Sequence, residues 1–153
     1  MNIKIKTRPY GEIEISEAQV IEFPDGIPGF DFVKKFALLD TKEKNSPFKW
    51  LQAVDEPELA FIIISPYAFF SEYRLDIPRS DFEAVDAGVP DDLLIFCIVT
   101  IPADPSEMTA NLQGPVIINP SKKIGRQAIS LNDDYSVRYR IVDELKKKAG
   151  SRG

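Results

Sequence analysis

The chain has 153 residues, of which 44% are hydrophobic and 28% charged, and it contains no histidine. A chain of this length fits one domain and buries roughly 70% of the surface that its unfolded form exposes. The absence of histidine excludes Ser-His-Asp triads, Cys-His dyads and zinc sites with histidine ligands. Because Cys97 is the only cysteine, no internal disulfide forms, which favours a reducing compartment.

The net charge of −5 is unevenly distributed. Residues 51–100 carry ten acidic and two basic side chains, whereas residues 1–50 carry eight of each and residues 101–153 carry six acidic and nine basic. An acidic middle third favours a basic protein over nucleic acid as the direct partner. The sequence has no run of about 18 apolar residues, and residues 1–6 alternate apolar and basic side chains, unlike a signal peptide. These features predict a cytoplasmic protein without a membrane span.

The N-terminal third predicts short strands joined by turns. Apolar and polar residues alternate over residues 3–6 and 12–15, and the turn residues 9–11 between them predict a first hairpin. Residues 20–23 predict a third strand, which the turn tripeptide at residues 24–26 closes. Residues 28–36 predict one or two helical turns, in which Phe32 and Phe36 share a face because they are four residues apart.

Strand patterns continue to the end of the chain, over residues 36–39, 50–54, 59–64, 93–101, 116–119, 126–129 and 137–141. The continuous apolar runs at 59–64 and 93–101 are typical of strands covered on both faces. Residues 80–85 predict a short helix capped by Ser80, with Glu83 completing a capping box. Twelve prolines exclude long helices.

These elements predict an all-β fold, mainly antiparallel, built as a small barrel or barrel-like sandwich with one or two short helices. We expect a single domain over residues 1–142 and a basic, frayed C-terminal tail over residues 143–153. The three lysines at 146–148 are typical of a solubilising tail and lack the interleaved aromatic residues of a nucleic-acid platform.

No motif predicts catalytic chemistry, a cofactor or a metal ion. The acidic pairs at 91–92 and 133–134 are sequence neighbours, which point to opposite faces of a strand and so do not form a shared-proton dyad. The prolines in residues 24–29 remove amide donors that a phosphate-binding loop needs. Cys97 lies in an apolar run and is predicted to be a buried thiol.

Two segments are candidates for partner binding. The aromatic cluster at residues 66–70 includes Phe69 and Phe70, which either belong to a core loop or anchor an interface. Residues 76–92 contain six acidic side chains against Arg79 alone: Asp76, Asp81, Glu83, Asp86, Asp91 and Asp92. A solvated face is the ordinary explanation for such a run, but the imbalance is large enough to steer a basic partner.

The order of four further motifs resembles the flagellar assembly factor FliW family. They are IEFPDGIPGF at residues 21–30, PFKWLQAV at 47–54, LAFIIISP at 59–66, and TANLQGPVIIN at 109–119 followed by GRQ at 125–127. The resemblance covers residues 3–131 and departs at Gly114, where the family pattern has alanine. We predict structural roles for many of the motif residues: Gly26, Gly29 and the nearby prolines hold turns, and Asn111 and Asn119 bond backbone groups. Trp50 either belongs to the core, which we favour, or anchors a partner contact.

The resemblance implies a non-enzymatic regulator that binds two proteins. FliW-like proteins bind flagellin and the small basic RNA-binding regulator CsrA, which in the bound state no longer represses translation of flagellin messenger RNA. Accumulating flagellin occupies the FliW-like protein and frees CsrA. The antagonism is allosteric, away from the RNA groove of CsrA. We therefore expect the acidic segment 76–92 to face CsrA, with charge raising the encounter rate.

Three other functions remain open from the sequence. The first is a flagellin-specific chaperone without a translational role, which shares the flagellin contact. The second is a small-ligand barrel, which requires an apolar cavity with a few polar groups. The third is a hydrolase or isomerase that uses carboxylates alone, which requires two acids whose pKa values are driven apart in a cleft.

Overall fold

The computed structural model describes residues 1–43 and 45–151, and its described part is mainly β-structure. The strands are β1 (Asn2–Thr7), β2 (Gly11–Ser16), β3 (Val20–Glu22), β4 (Lys35–Asp40), β5 (Phe48–Ala53), β6 (Ala60–Ile64), β7 (Leu94–Thr100), β8 (Thr109–Ala110), β9 (Val116–Asn119), β10 (Ile124–Gln127) and β11 (Tyr139–Arg140). The helices are α1 (Arg79–Ala84) and α2 (Val142–Ser151). Neither helix is long and apolar enough to cross a membrane, and the described residues contain no other helix with that length and apolar character.

Seven of the strands close into a barrel. Neighbouring strands pair in the order β7-β6-β5-β4-β3-β10-β9, and β9 pairs again with β7 to complete the ring. All of these pairings are antiparallel except the one between β3 and β10, which is parallel and joins Glu22 to Ile124. The prediction of a mainly antiparallel small barrel with short helices is confirmed.

The barrel interior is filled by side chains that the strands direct inward. Phe23, Phe36, Leu51, Ile63 and Ile118 belong to this cluster and are buried. This packed interior argues against the small-ligand barrel that the sequence left open. Outside the barrel, the β1–β2 hairpin packs its own buried isoleucines against residues of β4, and α1 covers β9 and β10 through a separate apolar cluster.

The helix predicted at residues 28–36 is wrong. Gly26 and Gly29 adopt φ angles of 67° and 89°, in the left-handed region that glycine tolerates, and the Phe30 N–H donates to the Ile27 carbonyl to close a turn. The chain then runs directly into β4. Phe32 is 67% exposed whereas Phe36 is fully buried, so the two rings do not share a face.

The helix predicted at residues 80–85 is present, but its predicted cap is wrong. Helix α1 begins at Arg79 after Pro78, and no side chain caps its N-terminus. Ser80 therefore lies within the first turn and not before it. Pro78 occupies the N-cap position with an extended backbone (φ −59°, ψ 150°), so the helix begins one residue before Ser80.

The C-terminal residues form helix α2, where the sequence predicted a frayed tail. The Leu145 N–H donates to the Ile141 carbonyl at 3.0 Å, and the Leu145 side chain packs against the cluster of Tyr139 and Ile141. This packing stabilises a helix that a lysine-rich sequence alone would not hold. Residues 152 and 153 lie outside the described part of the chain, and the domain boundary at residue 142 stays a prediction.

The Cys97 thiol is buried in β7, as predicted, and this has a consequence for stability at alkaline pH. Burial raises the pKa of the thiol from 9.0 to about 12, because the thiolate would be desolvated. The folded state therefore keeps a proton that the unfolded state loses above pH 9.

We expect the free energy of unfolding to fall by about 1.4 kcal/mol per pH unit as the pH rises above 9. Urea unfolding at pH 8 and 10.5 should show a smaller decrease for Cys97→Ala than for the unmodified protein, and equal decreases would contradict this.

Candidate partner-binding surface

All six predicted acidic residues lie on the connection between β6 and β7, and five of them are exposed. Helix α1 carries Glu83, Asp86 lies two residues after the end of that helix, and a 3₁₀ turn at Pro90–Asp92 carries Asp91 and Asp92. We define the acidic face by its exposed carboxylates: Asp76, Glu83, Asp86, Asp91 and Asp92.

Nearby cations only partly neutralise the acidic face. Arg79 lies 3.5 Å from Glu83, and Lys122 lies 3.5 Å from Asp86, with all four side chains largely exposed. Asp92 additionally accepts hydrogen bonds from the N–H groups of Gly88 and Val89, which hold the turn. Five carboxylates against two cations leave a net charge of −3 on the acidic face.

Asp81 does not belong to the acidic face, contrary to the expectation from the sequence. It is only 6% exposed, and its Oδ1 accepts a hydrogen bond of 2.6 Å from Nε of Arg126 on β10. The guanidinium of Arg126 also pairs with Asp25 in the turn after β3. Since the charge of Asp81 is satisfied inside the fold, this residue joins α1 to the barrel and is not offered to a partner.

The aromatic pair is also largely withdrawn from the surface. Phe69 is 2% exposed and packs with its ring centroid 5.7 Å from that of Tyr139. Phe70 is partly buried between the rings of Tyr135 and Tyr139, at 5.8 and 5.6 Å. The core-loop interpretation is therefore correct for Phe69, because its ring completes an aromatic cluster next to the barrel.

A surface groove lies beside the end of β10, where the sequence predicted no site. It has a volume of about 510 Å³, and we call it the β10 groove. Its lining comes from three segments: the turn at Asp25, Gly26 and Pro28, the loop at Asn111, Gln113 and Gly114, and the end of β10 with residues 126–129; Val137 completes the rim. Each segment belongs to a motif that carries the family resemblance, apart from residues 128, 129 and 137. The sequence feature that could have indicated the groove is therefore this set of family motifs, which the fold brings together.

The amide side chains of the β10 groove have structural partners. Asn111 Oδ1 accepts hydrogen bonds from the N–H groups of Gln113 and Gly114, as predicted for a turn. Gln127 Nε2 donates to the Gly114 carbonyl. A Cβ at Gly114 would lie 2.8 Å from the side-chain nitrogens of both Asn111 and Gln127. Because these are the ends of flexible side chains, an alanine at this position requires only a small shift.

Asn119 has the backbone-bonding role predicted for it. Its Nδ2 donates to the carbonyls of Val85 and Asp86, and its Oδ1 accepts from Ser121. This side chain ties the end of α1 to the β9–β10 turn. Among the described residues, no group of three or more cysteine, aspartate or glutamate side chains is placed to hold a metal ion.

Comparisons with known proteins agree with this architecture. The family model "FliW protein" matches residues 4–141. A flagellar assembly factor FliW of Leptospira interrogans is 43% identical over 98% of this chain and all of its own length. The flagellar assembly factor FliW of Treponema denticola is also 43% identical, over 94% of this chain and 96% of that protein.

A solved structure extends the likeness to three dimensions. The crystal structure of a flagellar assembly factor FliW superposes with a TM-score of 0.82 at 36% sequence identity. The match covers 90% of this chain and 96% of that one. With its sequence matched from residue 4 to 141 and its barrel shared with a solved member, the chain belongs to the FliW family of flagellar assembly factors.

Proposed function

We propose that this flagellar assembly factor acts in the cytoplasm by binding CsrA and flagellin, and that it couples the level of flagellin to flagellin translation. Membership of the FliW family carries the proposal. The protein holds CsrA away from flagellin messenger RNA by an allosteric effect, and accumulating flagellin displaces CsrA. Partner exchange requires only that binding of the two proteins be mutually unfavourable, by overlap or by coupling.

The acidic face supports a basic partner such as CsrA. Its net charge of −3 raises the rate of encounter with a cationic surface and makes the association sensitive to salt. Affinity requires apolar contact as well. Val89 and Leu94 are exposed on either side of the turn that carries Asp91 and Asp92, and they supply such contact.

A charge-reversal experiment tests this surface. We expect the triple variant Glu83→Lys, Asp86→Lys, Asp91→Lys to bind CsrA roughly 10–100-fold more weakly at low salt, with a shallower salt dependence. Isothermal titration over a range of salt concentrations measures both effects. Asp81 is kept unchanged, because its loss would leave Arg126 without its buried partner and would confuse binding with stability.

A second triple variant provides the matched control. Glu12→Lys, Glu14→Lys, Asp55→Lys makes the same change in net charge at exposed acids on β2 and after β5, away from the acidic face. We expect this variant to bind CsrA within about threefold of the unmodified protein, since distant exposed charges are screened. Equal weakening by both variants would show a general charge effect and would reject the acidic face as the CsrA surface.

A further inference from the structure

Residues 65–73 form a compact segment between β6 and α1 that packs on the outer face of the barrel, and we call this segment the aromatic cap. Ile64 on β6 and Cys97 on β7 are directly opposite each other in the sheet. Phe69 and Tyr73 of the aromatic cap pack with them in one apolar cluster, and each of the four side chains is no more than 3% exposed. The aromatic cap therefore takes part in shielding the Cys97 thiol from solvent.

The backbone hydrogen bonds of the aromatic cap lie within the cap. The N–H groups of residues 68–70 donate to the carbonyls of Ser65 and Pro66, and the Tyr73 N–H donates to the Phe70 carbonyl. At its start, the Ser65 hydroxyl accepts a hydrogen bond from the next N–H but one. These hydrogen bonds would all survive a movement of the aromatic cap as one unit, because both partners of each bond move together.

Packing between aromatic rings joins the aromatic cap to the C-terminal part of the fold. The ring of Phe69 lies 5.7 Å from that of Tyr139, and the ring of Tyr73 stacks on that of Tyr135 at 5.0 Å and an interplanar angle of 20°. The Tyr135 hydroxyl also accepts a hydrogen bond of 3.0 Å from the N–H of Arg74, directly after the cap. These contacts can separate without breaking a hydrogen bond between barrel strands.

The Tyr73 hydroxyl is buried without a hydrogen bond. Within the part of the chain that the structure describes, it is the only buried side-chain nitrogen or oxygen that lacks a partner. Burial raises the pKa of this hydroxyl, and the neighbouring Cys97 thiol adds to the increase. Because water would satisfy the hydroxyl, its burial without a partner disfavours the closed aromatic cap relative to a state in which Tyr73 meets solvent.

We propose that the aromatic cap is a lid that opens while the barrel stays folded. Opening hydrates the Tyr73 hydroxyl and uncovers the outer face of β6 and β7, so an apolar surface that is covered in the closed protein becomes accessible in the open one. Cys97 lies on that surface and, as the only cysteine, reports on opening. The proposal does not depend on the identity of any partner protein, so it stands or falls separately from the proposed function.

Labelling of Cys97 by N-ethylmaleimide at neutral pH, followed by intact-mass spectrometry, measures opening of the lid. We expect labelling at least about 100-fold faster than the equilibrium constant for global unfolding allows, because local opening costs less free energy. Urea concentrations below the unfolding transition should change the labelling rate only slightly, since opening exposes little surface. A labelling rate that matches global unfolding, with the full urea dependence of unfolding, would overturn the proposal.

Tyr73→Phe and Tyr135→Phe remove the same group from two stacked rings, and we expect them to act in opposite directions. Tyr73→Phe relieves the closed lid of its unpaired hydroxyl and should slow labelling of Cys97 by about tenfold. Tyr135→Phe deprives the Arg74 N–H of its acceptor and should speed labelling by about threefold. Unchanged labelling of Tyr73→Phe, or a change in the same direction for both variants, would overturn the proposal.

Gly125→Ala is the control that separates the lid from the barrel. Its added methyl group meets Phe23 in the barrel interior, a cluster to which no residue of the aromatic cap belongs. We expect this variant to label Cys97 within about twofold of the rate for the unmodified protein, because opening of the lid leaves the barrel interior intact. Labelling that accelerates by the same factor as global unfolding would overturn the proposal. If Gly125→Ala does not fold, the urea dependence of labelling in the unmodified protein decides the matter.

Discussion

Gly125→Ala is expected to lower the free energy of unfolding by about 3 kcal/mol, which corresponds to a decrease in Tm of roughly 9 °C for a chain of this size. Gly125 lies on β10 with its Cα against the ring of Phe23. A Cβ at this position would lie 2.5 Å from Phe23 Cζ and less than 3.0 Å from both Cε atoms. Phe23 is fully buried and packs edge-on against Phe36 at 5.2 Å, so its ring cannot move away without displacing the barrel core.

Gly88→Ala is the matched control for the Gly125 prediction. A Cβ at Gly88 would meet only Asp92 Oδ2, at 3.9 Å, which is ordinary van der Waals contact. We expect a change in the free energy of unfolding of less than about 0.5 kcal/mol. Urea unfolding of the two variants measures the contrast. If Gly125→Ala were as stable as Gly88→Ala, the close packing of β10 on Phe23 would be incorrect.

Asp81→Ala is expected to cost about 2 kcal/mol of stability, although Asp81 belongs by sequence to a run of surface acids. Its removal leaves Nε of Arg126 without the 2.6 Å hydrogen bond that it makes in a mostly buried setting. The loss of stability is smaller than for a fully buried ion pair, because the Arg126 side chain is one-third exposed and keeps its ion pair with Asp25. Thermal unfolding at neutral pH measures the effect.

Asp25→Ala removes the other carboxylate from the same arginine and serves as the comparison. The Asp25 side chain is 68% exposed, so solvent screens its interaction with Arg126. We expect a loss of no more than about 0.5 kcal/mol. Equal losses for the Asp81→Ala and Asp25→Ala variants would show that Asp81 does not hold α1 to the barrel, and would return it to the acidic face.

Many of the strands could be predicted, both in the barrel and in the β1–β2 hairpin, because their pattern is local. Alternation at residues 3–6 and 12–15 and the apolar runs before Ser65 and at Cys97 each fall on a strand of the structure. The segment at residues 28–36 was misassigned because Phe32 and Phe36, four residues apart, fit a helix as well as a turn that leads into a strand. The structure of this segment is decided by the backbone turn at Gly26 and Gly29, whose φ angles are positive. This turn brings Gly26 against the backbone of Asp31.

The candidate surfaces depend on contacts between distant parts of the sequence, which a local pattern does not contain. The charge run indicated an acidic face, but the burial of Asp81 follows from Arg126, which is 45 residues away. The ring of Phe69 packs against Tyr139, which lies on β11, far away in the sequence. The β10 groove requires a turn, a loop and a strand that only barrel closure brings together.

The most direct test of the proposed function is isothermal titration of this protein with purified CsrA, repeated after saturation with flagellin. The partner-exchange account predicts heat of binding with CsrA that flagellin abolishes or strongly reduces, because the two partners bind in mutually unfavourable ways. Heat with flagellin but none with CsrA would contradict the account and would leave a flagellin chaperone without a translational role.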